Sequence, residues 1–345
     1  MLRLLHLLLV LLTLAAYLPP LVNPATFWPI STLGLIAPVL WFALLFFGCY
    51  WLWQRDKTVL LSLITLLLGW DMISGAFAVS PSIPSATLGL DVASLNGHGF
   101  QPQAGEDRSA FYQDVASYMK ALGSDINLMQ EFQVRPDRSK DLMEQIQQKT
   151  GHEYIYREAG GPLVVSSRYP LKNAQVNYFS NRANGYLMVD VETPKGMVRL
   201  FNVHLQTNAI SRLADEVTSS GDLREKSTWQ KVKTMFGRYG RSNRVRTEQA
   251  AEILAAVKKS PYPVILAGDF NDVPTSYLYR QFRTELQDAH LVAGWGLGTT
   301  YQGLLPGLRI DYILPSYGLN VYDFDRVSCP FSDHRAVRVH ISLPQ

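Results

Sequence analysis

The sequence predicts an α/β protein in which two β-sheets pack face to face with helices outside them, preceded by three apolar helices. Short apolar runs rich in β-branched residues recur after residue 87, and segments of helical periodicity separate only some of them. A strand-rich pattern with helices between some strands favours two packed sheets. The first 80 residues contain only five charged residues, which sets them apart from the later domain.

Three apolar segments fill residues 1–80, at about 4–22, 33–53 and 58–79. The second and third are each about 20 residues long, which is enough to cross a ~30 Å hydrocarbon core as helices. The first fits either a third membrane helix or a secretory signal with Arg3 at its basic end. We predict a membrane anchor of three helices, because two more apolar segments follow the first.

The short loops between the apolar segments predict the orientation of this anchor. Arg3 and the turn at 54–57 contain its basic residues, whereas the loop at 19–32 contains none. Because basic loops stay in the cytoplasm, the N-terminus and residues 54–57 are expected there. Three crossings then put everything after residue 80 outside the cytoplasm, in the periplasm or on the external face of the membrane.

Residues 81–345 have the composition of an ordinary folded domain preceded by a short linker. Residues 81–86 form a short linker rich in proline and serine, which reaches ~20 Å at most and keeps the domain at 87–345 close to the bilayer. The net charge of +3 does not indicate a nucleic-acid partner. Cys49 lies in an apolar segment and Cys329 is alone in the domain, so no disulfide is expected within the domain.

Alternating and helical patterns predict the order of elements in the domain. Apolar residues at helical spacing stop at Gly123 and at Gly151, where a helix is expected to end. The predicted helices are 107–122, 137–150, 243–259 and 276–283. The predicted strands are 88–95, 126–129, 153–157, 162–167, 174–179, 185–192, 197–204, 263–268, 308–314, 320–327 and 335–341.

Polar residues follow several of the predicted strands. The apolar strand 263–268 continues into Gly-Asp-Phe-Asn, and residues two apart on an extended chain point to one side, so Asp269 and Asn271 face one spot. An Asx-rich turn is the alternative for this segment alone. Asn96, Glu131 and His204 end other strands, and these five polar residues at strand ends predict a shared site at one edge of the sheets.

Six motifs carry a resemblance to a known family. They are Asn96, Gln130-Glu131, Asn202-Val203-His204-Leu205, Gly268-Asp269-Phe270-Asn271, Arg309-Ile310-Asp311-Tyr312 and Ser332-Asp333-His334. In this order they resemble the DNase-I-like endonuclease/exonuclease/phosphatase superfamily, from about residue 87 to 341. Each motif alone is weak, but the six in order are specific. The resemblance implies a four-layer α/β sandwich and Mg²⁺-dependent cleavage of phosphate esters, with Mn²⁺ as a possible substitute.

The resemblance also implies a metal site. Mg²⁺ prefers oxygen ligands and keeps several waters, so one or two carboxylates suffice to hold it. Glu131 fits this role, and members of the family use this glutamate for it. Asn96 would support the same site, and Asp333 would be a second metal contact. A solvated strand end at Glu131 and a turn at Asn96-Gly97 are the alternatives.

The remaining motif residues are assigned catalytic roles. Asp269 is the candidate general base that orients or deprotonates the attacking water, and Asn271 would hold a phosphate oxygen. The resemblance implies that Asp311 pairs with His334, and a carboxylate partner favours the charged imidazolium. That cation would stabilise the developing charge or protonate the leaving oxygen. The alternative for His334 is a histidine of the core without a catalytic role.

Of the other histidines, only His204 has a motif context that indicates a functional role. His204 occupies a position where nucleases and bacterial sphingomyelinases of the family also have histidine, so it is a further catalytic candidate. The run His204-Leu205-Gln206 most resembles the sphingomyelinase-type branch. His98 and His152 have no motif context and are expected at the surface.

A long basic insertion at 208–242 follows His204. Apolar residues recur there at helical spacing among lysines and arginines, which predicts an amphipathic basic helix. Such a helix lies on an anionic membrane surface or borders a polyanion groove. A solvated helix that packs its apolar side on the domain is the alternative. Trp229, Arg238 and Arg241 are the candidates for contact with substrate or membrane.

These observations predict a membrane-anchored, Mg²⁺-dependent phosphodiesterase that hydrolyses the phosphate ester of a lipid headgroup by in-line attack of water. An extracytoplasmic nuclease that uses the basic insertion to bind phosphates is the alternative. A non-catalytic anchored binding protein is a third hypothesis, and the complete set of polar motif residues argues against it. The sequence leaves open the headgroup, monoester or diester chemistry, and the number of metal ions.

Overall fold

A computed structural model of the chain describes residues 1–80, 89–180, 182–207, 226–303 and 307–343. The predicted linker at 81–86 and residues 208–225 of the predicted insertion lie outside the described residues. The chain forms two compact units. The first contains residues 1–77 together with 208–250 and 272–281, and the second contains 78–207, 251–271 and 282–345.

The helices lie mainly in the N-terminal part and between strands of the sheets. They are α1 Leu2–Ala15, α2 Pro24–Phe27, α3 Thr32–Trp53, α4 Val59–Leu68, α5 Trp70–Ala76, α6 Arg108–Leu122, α7 Pro136–Thr150, α8 Lys226–Lys258, α9 Tyr277–Arg283 and α10 Ala289–Ala293. A 3₁₀ turn at Trp28–Ser31 joins α2 to α3. Local signals set several ends: the Asp107 side chain caps α6, Pro136 begins α7, and Gly123 and Gly151 end these two helices in left-handed conformation.

The strands are β1 Ala78–Val79, β2 Leu90–Asn96, β3 Ile126–Gln130, β4 Tyr154–Arg157, β5 Val164–Ser167, β6 Leu171–Tyr178, β7 Gly185–Thr193, β8 Gly196–His204, β9 Val264–Asp269, β10 Trp295–Gly296, β11 Asp311–Pro315, β12 Asn320–Val327 and β13 Ala336–Ser342. One sheet has the order β11-β9-β8-β7-β6 and another has the order β12-β13-β2-β3-β5-β4. Both are mixed, because β8 and β9 run parallel in the first and β2 and β3 run parallel in the second.

The first helix of the first unit corrects one sequence prediction. The segment predicted as a span at 4–22 forms a helix of only 14 residues, which ends at Ala15. Pro19 and Pro20 follow closely, and proline does not continue a helix because it lacks an N–H donor. At 1.5 Å per residue, α1 is about 21 Å long, which is shorter than the ~30 Å hydrocarbon core.

The other predicted spans differ from each other. Pro24–Trp53 is long and apolar enough to cross a membrane by length and composition, and only 33% of its most apolar window is buried. The predicted span at 58–79 is instead two helices, α4 and α5, bent by 68° at Gly69, and its last residues belong to β1. Within the described residues, one helix is a candidate span. The bent pair α4–α5 adds a second candidate if the pair is counted as a single span. The prediction of three spans is therefore wrong.

The basic helix belongs to the same unit as the apolar helices. α8 is continuous over 33 residues, so a separate helix beginning near 243 is also a wrong prediction. Its Gly240 lies directly against the Trp28 ring, where a β-carbon would not fit. On the same side of α8, the Tyr239 hydroxyl donates to Asp272 at 2.9 Å, and Arg246 Nε lies 3.6 Å from the same carboxylate. All three of these polar side chains are buried.

The two mixed sheets of the second unit pack face to face, as predicted. Their shared core contains Val92 and Leu128 from one sheet and Val189, Leu200 and Ile265 from the other. Helices α6 and α7 cover the outer face of the β2–β3 sheet through a second apolar cluster. On the outer face of the other sheet, Phe270 packs edge-on against Phe282 of α9. The second unit therefore has two packed mixed sheets with flanking helices.

A buried amide pair links the two sheets. Gln130 at the end of β3 donates to the Asn202 side chain of β8 at 2.7 Å and to Ser94 Oγ at 3.0 Å. Asn202 in turn donates to the carbonyls of Met129 and Val164 at 3.0 and 2.9 Å. Because buried polar groups are stable only when hydrogen bonded, this network fixes how the strand ends of the two sheets meet.

Candidate active site

Strand register gathers the polar strand ends at one edge of the second unit. Asp269 ends β9, and its partners across the sheet are His204 on parallel β8 and Asp311 on antiparallel β11. In the other sheet, Asn96 at the end of β2 pairs with Gln130 at the end of β3, directly before Glu131. Carboxyl ends of parallel strands and amino ends of antiparallel neighbours share one sheet edge, so these side chains converge.

The backbone at this edge adopts conformations that are rare for residues with side chains. Glu131 and Asn271 have φ values of +54° and +53°. Gly268 has φ +145°, and a β-carbon there would lie 1.9 Å from the Val203 carbonyl oxygen. Glycine is therefore required at 268, and it lets β9 approach β8 closely enough to bring Asp269 beside His204. Rare φ values in well-ordered polar residues are typical of functional sites.

Asn96 joins the carboxylates from the two sheets. Its amide nitrogen donates to Asp269 Oδ2 at 2.9 Å and to Glu131 Oε1 at 3.1 Å. Its carbonyl oxygen accepts from the backbone N–H of His98 at 3.0 Å, which fixes the orientation of the amide. Asn96 thus holds two carboxylates next to each other in a buried place, where like charges repel.

His204 faces the same two carboxylates. Its Nδ1 lies 3.0 Å from the Ala183 carbonyl, which accepts a hydrogen bond and leaves Nε2 with a lone pair. Nε2 lies 3.5 Å from Glu131 and 3.8 Å from Asp269, is buried, and has no hydrogen-bond partner among the described residues. Two carboxylates thus converge on an imidazole nitrogen that has no hydrogen-bond partner among the described residues, and the three groups form a candidate site for a cation.

Asp311 and His334 form a buried ion pair. His334 Nδ1 lies 2.9 and 3.1 Å from the two carboxylate oxygens of Asp311, so it donates to them and directs Nε2 away from Asp311. Burial disfavours the imidazolium, but the carboxylates of Asp311, Asp269 and Asp333 outweigh burial and raise the pKa of His334 to about 10. His334 is therefore a cation at neutral pH.

Asp269 lies between these two groups. Burial and the neighbouring Asp311 carboxylate raise its pKa, while His334, His204 and the Asn96 hydrogen bond oppose the rise. Asn271 donates its backbone N–H to Asp269 Oδ1 at 2.8 Å and its amide to Oδ2 at 3.1 Å. A buried, oriented carboxylate with a raised pKa is a suitable base for water activation.

The described residues fit a divalent cation in this cluster. Two sets of side chains bring their ligand atoms within 4.8 Å of one another: Glu131 with His204 and Asp269, and Asp269 with Asp311 and His334. The first set suits a metal better, because His334 in the second donates its Nδ1 proton and is cationic. The carboxylate oxygens of the first set, from Glu131 and Asp269, are ligands that Mg²⁺ and Mn²⁺ accept. A bound cation would neutralise phosphate charge there.

The sequence-predicted residues outside the cluster have other neighbours. Asp333 lies against His98, with Nδ1 3.1 Å from Oδ1, and does not belong to either possible metal set. Its proposed metal role stays a prediction, as does that of Asn96. Trp229, Arg238 and Arg241 lie on the exposed face of α8 in the first unit.

Two site residues were missed or misplaced by sequence reasoning. His98 is exposed as expected, yet it borders the site through Asp333. The prediction that His152 lies at the surface is wrong, because this histidine is buried and contacts Ser166 and the Ser124 carbonyl. Gln302 was not singled out. Its amide donates to the carbonyls of Ser332 and His334 at 3.1 and 3.2 Å, and its N–H donates to the Asp333 carbonyl at 2.7 Å. Nothing in the sequence marks an isolated glutamine as a support.

The packed mixed sheets, with a metal-compatible carboxylate–histidine cluster at one edge, are those of an endonuclease/exonuclease/phosphatase-type hydrolase fold. The chain belongs to the endonuclease/exonuclease/phosphatase family, whose model matches residues 93–334. A second model, a domain of unknown function (DUF8431), matches residues 1–75. Comparison with curated proteins gives no match.

Solved structures share the fold at low sequence identity. An endonuclease/exonuclease/phosphatase family protein from Bacteroides thetaiotaomicron is 17% identical, with a TM-score of 0.51, covering 75% of this chain and 99% of that one. A second, from Bacteroides vulgatus, is 14% identical with a TM-score of 0.51, covering 75% and 100%. Humanized D. rerio TDP2 is 14% identical with a TM-score of 0.51, covering 73% and 98%. At these identities the similarity shows the fold alone.

Proposed function

We propose that this protein is a membrane-anchored, Mg²⁺-dependent phosphodiesterase that hydrolyses the phosphate ester of a lipid headgroup, with its catalytic domain outside the cytoplasm. The observation that carries the phosphoesterase assignment is the cluster of Glu131, His204 and Asp269 beside the Asp311–His334 pair. Phosphate esters are anionic, so their hydrolysis depends on charge neutralisation and on positioning of water.

The chain's own side chains divide the work in this proposal. Glu131 and His204 would hold the cation, and a bound cation would neutralise phosphate charge. Asp269 orients the water and accepts its proton, and Asn271, whose amide donates to Asp269 Oδ2, would hold a phosphate oxygen. The His334 imidazolium stabilises charge or protonates the leaving oxygen through Nε2, with Asp311 fixing its tautomer.

The first unit supports a lipid substrate over a nucleic acid. Basic side chains on its helix α8 are exposed, namely Lys231, Lys233, Arg238, Arg241 and Arg244. The buried side of α8 packs against Trp28, next to the apolar helix α3. Basic side chains beside an apolar helix are attracted to anionic lipid headgroups. The exposed Trp229 on α8 suits the interface between water and lipid.

The orientation of the anchor rests on its short loops. Arg3 forms an ion pair with Asp56 at 2.6 Å, so the start of α1 and the turn between α3 and α4 lie at one end of the first unit. These are the basic segments that the positive-inside rule assigns to the cytoplasm. In this proposal the bent pair α4–α5 is the one crossing after residue 57, and it carries the chain to the outside.

The test is a headgroup-release screen with full-length protein in detergent, Mg²⁺ and a panel of glycerophospholipids and sphingolipids. We expect release from at least one lipid phosphodiester, and we expect Asp269→Ala to lower the rate by about 10²–10⁴-fold because it removes the base. Plasmid DNA serves as the competing substrate. Nicking of plasmid without turnover of any lipid would overturn the lipid proposal and favour a nuclease.

A further inference from the structure

A pocket separate from the catalytic cluster lies in the same compact unit. It has a volume of about 340 Å³ and is lined by residues from β10, β12 and the approach to β13, among them Trp295, Arg326 and Arg335, together with Ser80. None of the catalytic side chains lines it. Arg335 follows His334 directly, and successive residues of an extended segment point in opposite directions, so the two side chains serve different sites.

The two arginines of this pocket lack the partners that arginines in a protein usually have. Arg326 makes only long contacts, 3.4 Å to the Trp295 carbonyl and 3.5 Å to the Thr299 carbonyl. Arg335 Nε is buried and has no acceptor. Across the described ranges, neither guanidinium forms an ion pair. Burial, then repulsion from Arg335 and Arg309, lowers the pKa of Arg326. An anion would relieve this repulsion and supply the missing acceptors.

The carboxylates of the pocket are engaged elsewhere. Asp323 and Asp325 lie on β12, and Arg338 Nη2 lies 3.8 Å from the first and 3.4 Å from the second. The third nearby arginine, Arg309, is paired with Asp288 at 2.6 Å. Arg338 balances only one of the two β12 carboxylates, so Arg326 and Arg335 leave this local network with one net positive charge.

We propose that Arg326 and Arg335 form an anion site that binds a phosphate group, supplied either by a lipid headgroup or by free phosphate. Two guanidinium groups match the planar, multiple hydrogen bonding that phosphate oxygens accept. The exposed Trp295 ring at the rim offers an apolar contact next to the bound phosphate. Ser80, four residues after α5 ends, lines the same pocket.

The test measures binding without catalysis. Full-length protein in detergent with EDTA, which suppresses metal-supported binding at the catalytic cluster, is dialysed against radiolabelled inorganic phosphate and against short-chain phosphatidylglycerol. We expect Arg326→Gln combined with Arg335→Gln to weaken binding at least about tenfold, because two charge-assisted contacts are lost. Lys120→Gln combined with Lys149→Gln removes the same charge from exposed positions and is expected to leave binding unchanged.

The two ligands distinguish the source of the phosphate. Tighter binding of phosphatidylglycerol identifies a lipid headgroup site, and equal or tighter binding of inorganic phosphate identifies a free-phosphate site. Equal binding by the wild type and the arginine double variant, or equal weakening by both double variants, would overturn the proposal. Asp269→Ala is expected to retain binding, so this site and the proposed catalytic function can fail independently.

Discussion

His204 and His334 are both buried and both use Nδ1 for support, but their acceptors differ. A backbone carbonyl accepts from His204, which fixes a tautomer and leaves Nε2 as a ligand atom. A carboxylate accepts from His334, which favours the imidazolium. One imidazole therefore suits a cation and the other suits an anionic transition state, although the sequence shows only two histidines at strand ends.

The Asp311–His334 pair predicts a pH dependence. Because the pKa of His334 is raised to about 10, activity that needs the imidazolium is lost as the pH rises through about 10. The stability that the pair contributes is complete below the ordinary histidine pKa of about 6.5 and is lost over the same rise. Asp311→Asn removes the anion and lowers the pKa of His334, so the alkaline limb of the kcat/KM profile should shift to lower pH by more than about one pH unit.

The control for this change is Asp190→Asn. Asp190 is equally buried and is paired with Arg199 at 2.6 Å on β7 and β8, outside the catalytic cluster. It should lower stability without moving the alkaline limb. An unchanged limb in Asp311→Asn would show that His334 is not the group that titrates.

Gln302 is a positioning residue for His334. Its side-chain amide donates to the carbonyls of Cys329, Ser332 and His334, and these hydrogen bonds hold the loop that presents Asp333 and His334. Gln302→Ala should lower kcat by about tenfold or more with a small effect on KM, because misplacement of His334 acts on the transition state. Gln287→Ala is the matched control, since Gln287 binds the carbonyls of Ser316 and Leu319. Equal kcat losses in both variants would mean a general loss of structure.

At the scale of elements, the sequence predicts the end of β9, but it predicts only in part which residues of β8 and β11 lie beside it. The apolar run and the Gly-Asp-Phe-Asn end identify a strand that delivers Asp269. Residue patterns do not contain the strand register that sets His204 and Asp311 beside it, because register depends on contacts between distant segments. The pairing of Asp311 with His334 came from the family resemblance. Short elements such as α10, β1 and β10 have too few residues for a periodic signal.

Gly268 tests how this strand end is built. Gly268→Ala places a methyl group against the Val203 carbonyl oxygen and forces alanine into φ +145°. It should lower the free energy of unfolding by at least about 2 kcal/mol. Gly160→Ala is the control, because Gly160 also has positive φ (+72°) but has open space around the position of a β-carbon. Denaturant unfolding measures both, and equal losses would contradict a steric requirement at 268.

At the scale of the whole molecule, composition identified an apolar N-terminal region but overstated its spans. Hydropathy counts residues and does not register that Pro19-Pro20 ends one helix or that Gly69 bends another. The insertion was correctly predicted to contain an amphipathic basic helix. Its grouping with the apolar helices was not predicted, because the contact between Gly240 and Trp28 joins segments more than 200 residues apart.

The proposed topology predicts which surface positions are accessible from outside the cell. In a background with Cys49→Ser and Cys329→Ser, a membrane-impermeant maleimide should label Lys149→Cys in intact cells. It should label Lys57→Cys only after permeabilisation, because 54–57 is the cytoplasmic turn. Both lysines are exposed, so access alone does not separate them. The reverse labelling pattern would place the catalytic domain in the cytoplasm.

We claim that Glu131, His204 and Asp269 form a metal-dependent phosphoesterase site, and Mg²⁺ titration of bis(4-nitrophenyl) phosphate hydrolysis can check this. From a baseline stripped with EDTA, the rate should rise with Mg²⁺ and saturate. Glu131→Gln should need at least about tenfold more Mg²⁺, and Asp269→Asn should lower the saturated rate by about 10²–10⁴-fold. Hydrolysis that is independent of metal, or that is unchanged in both variants, would contradict the claim.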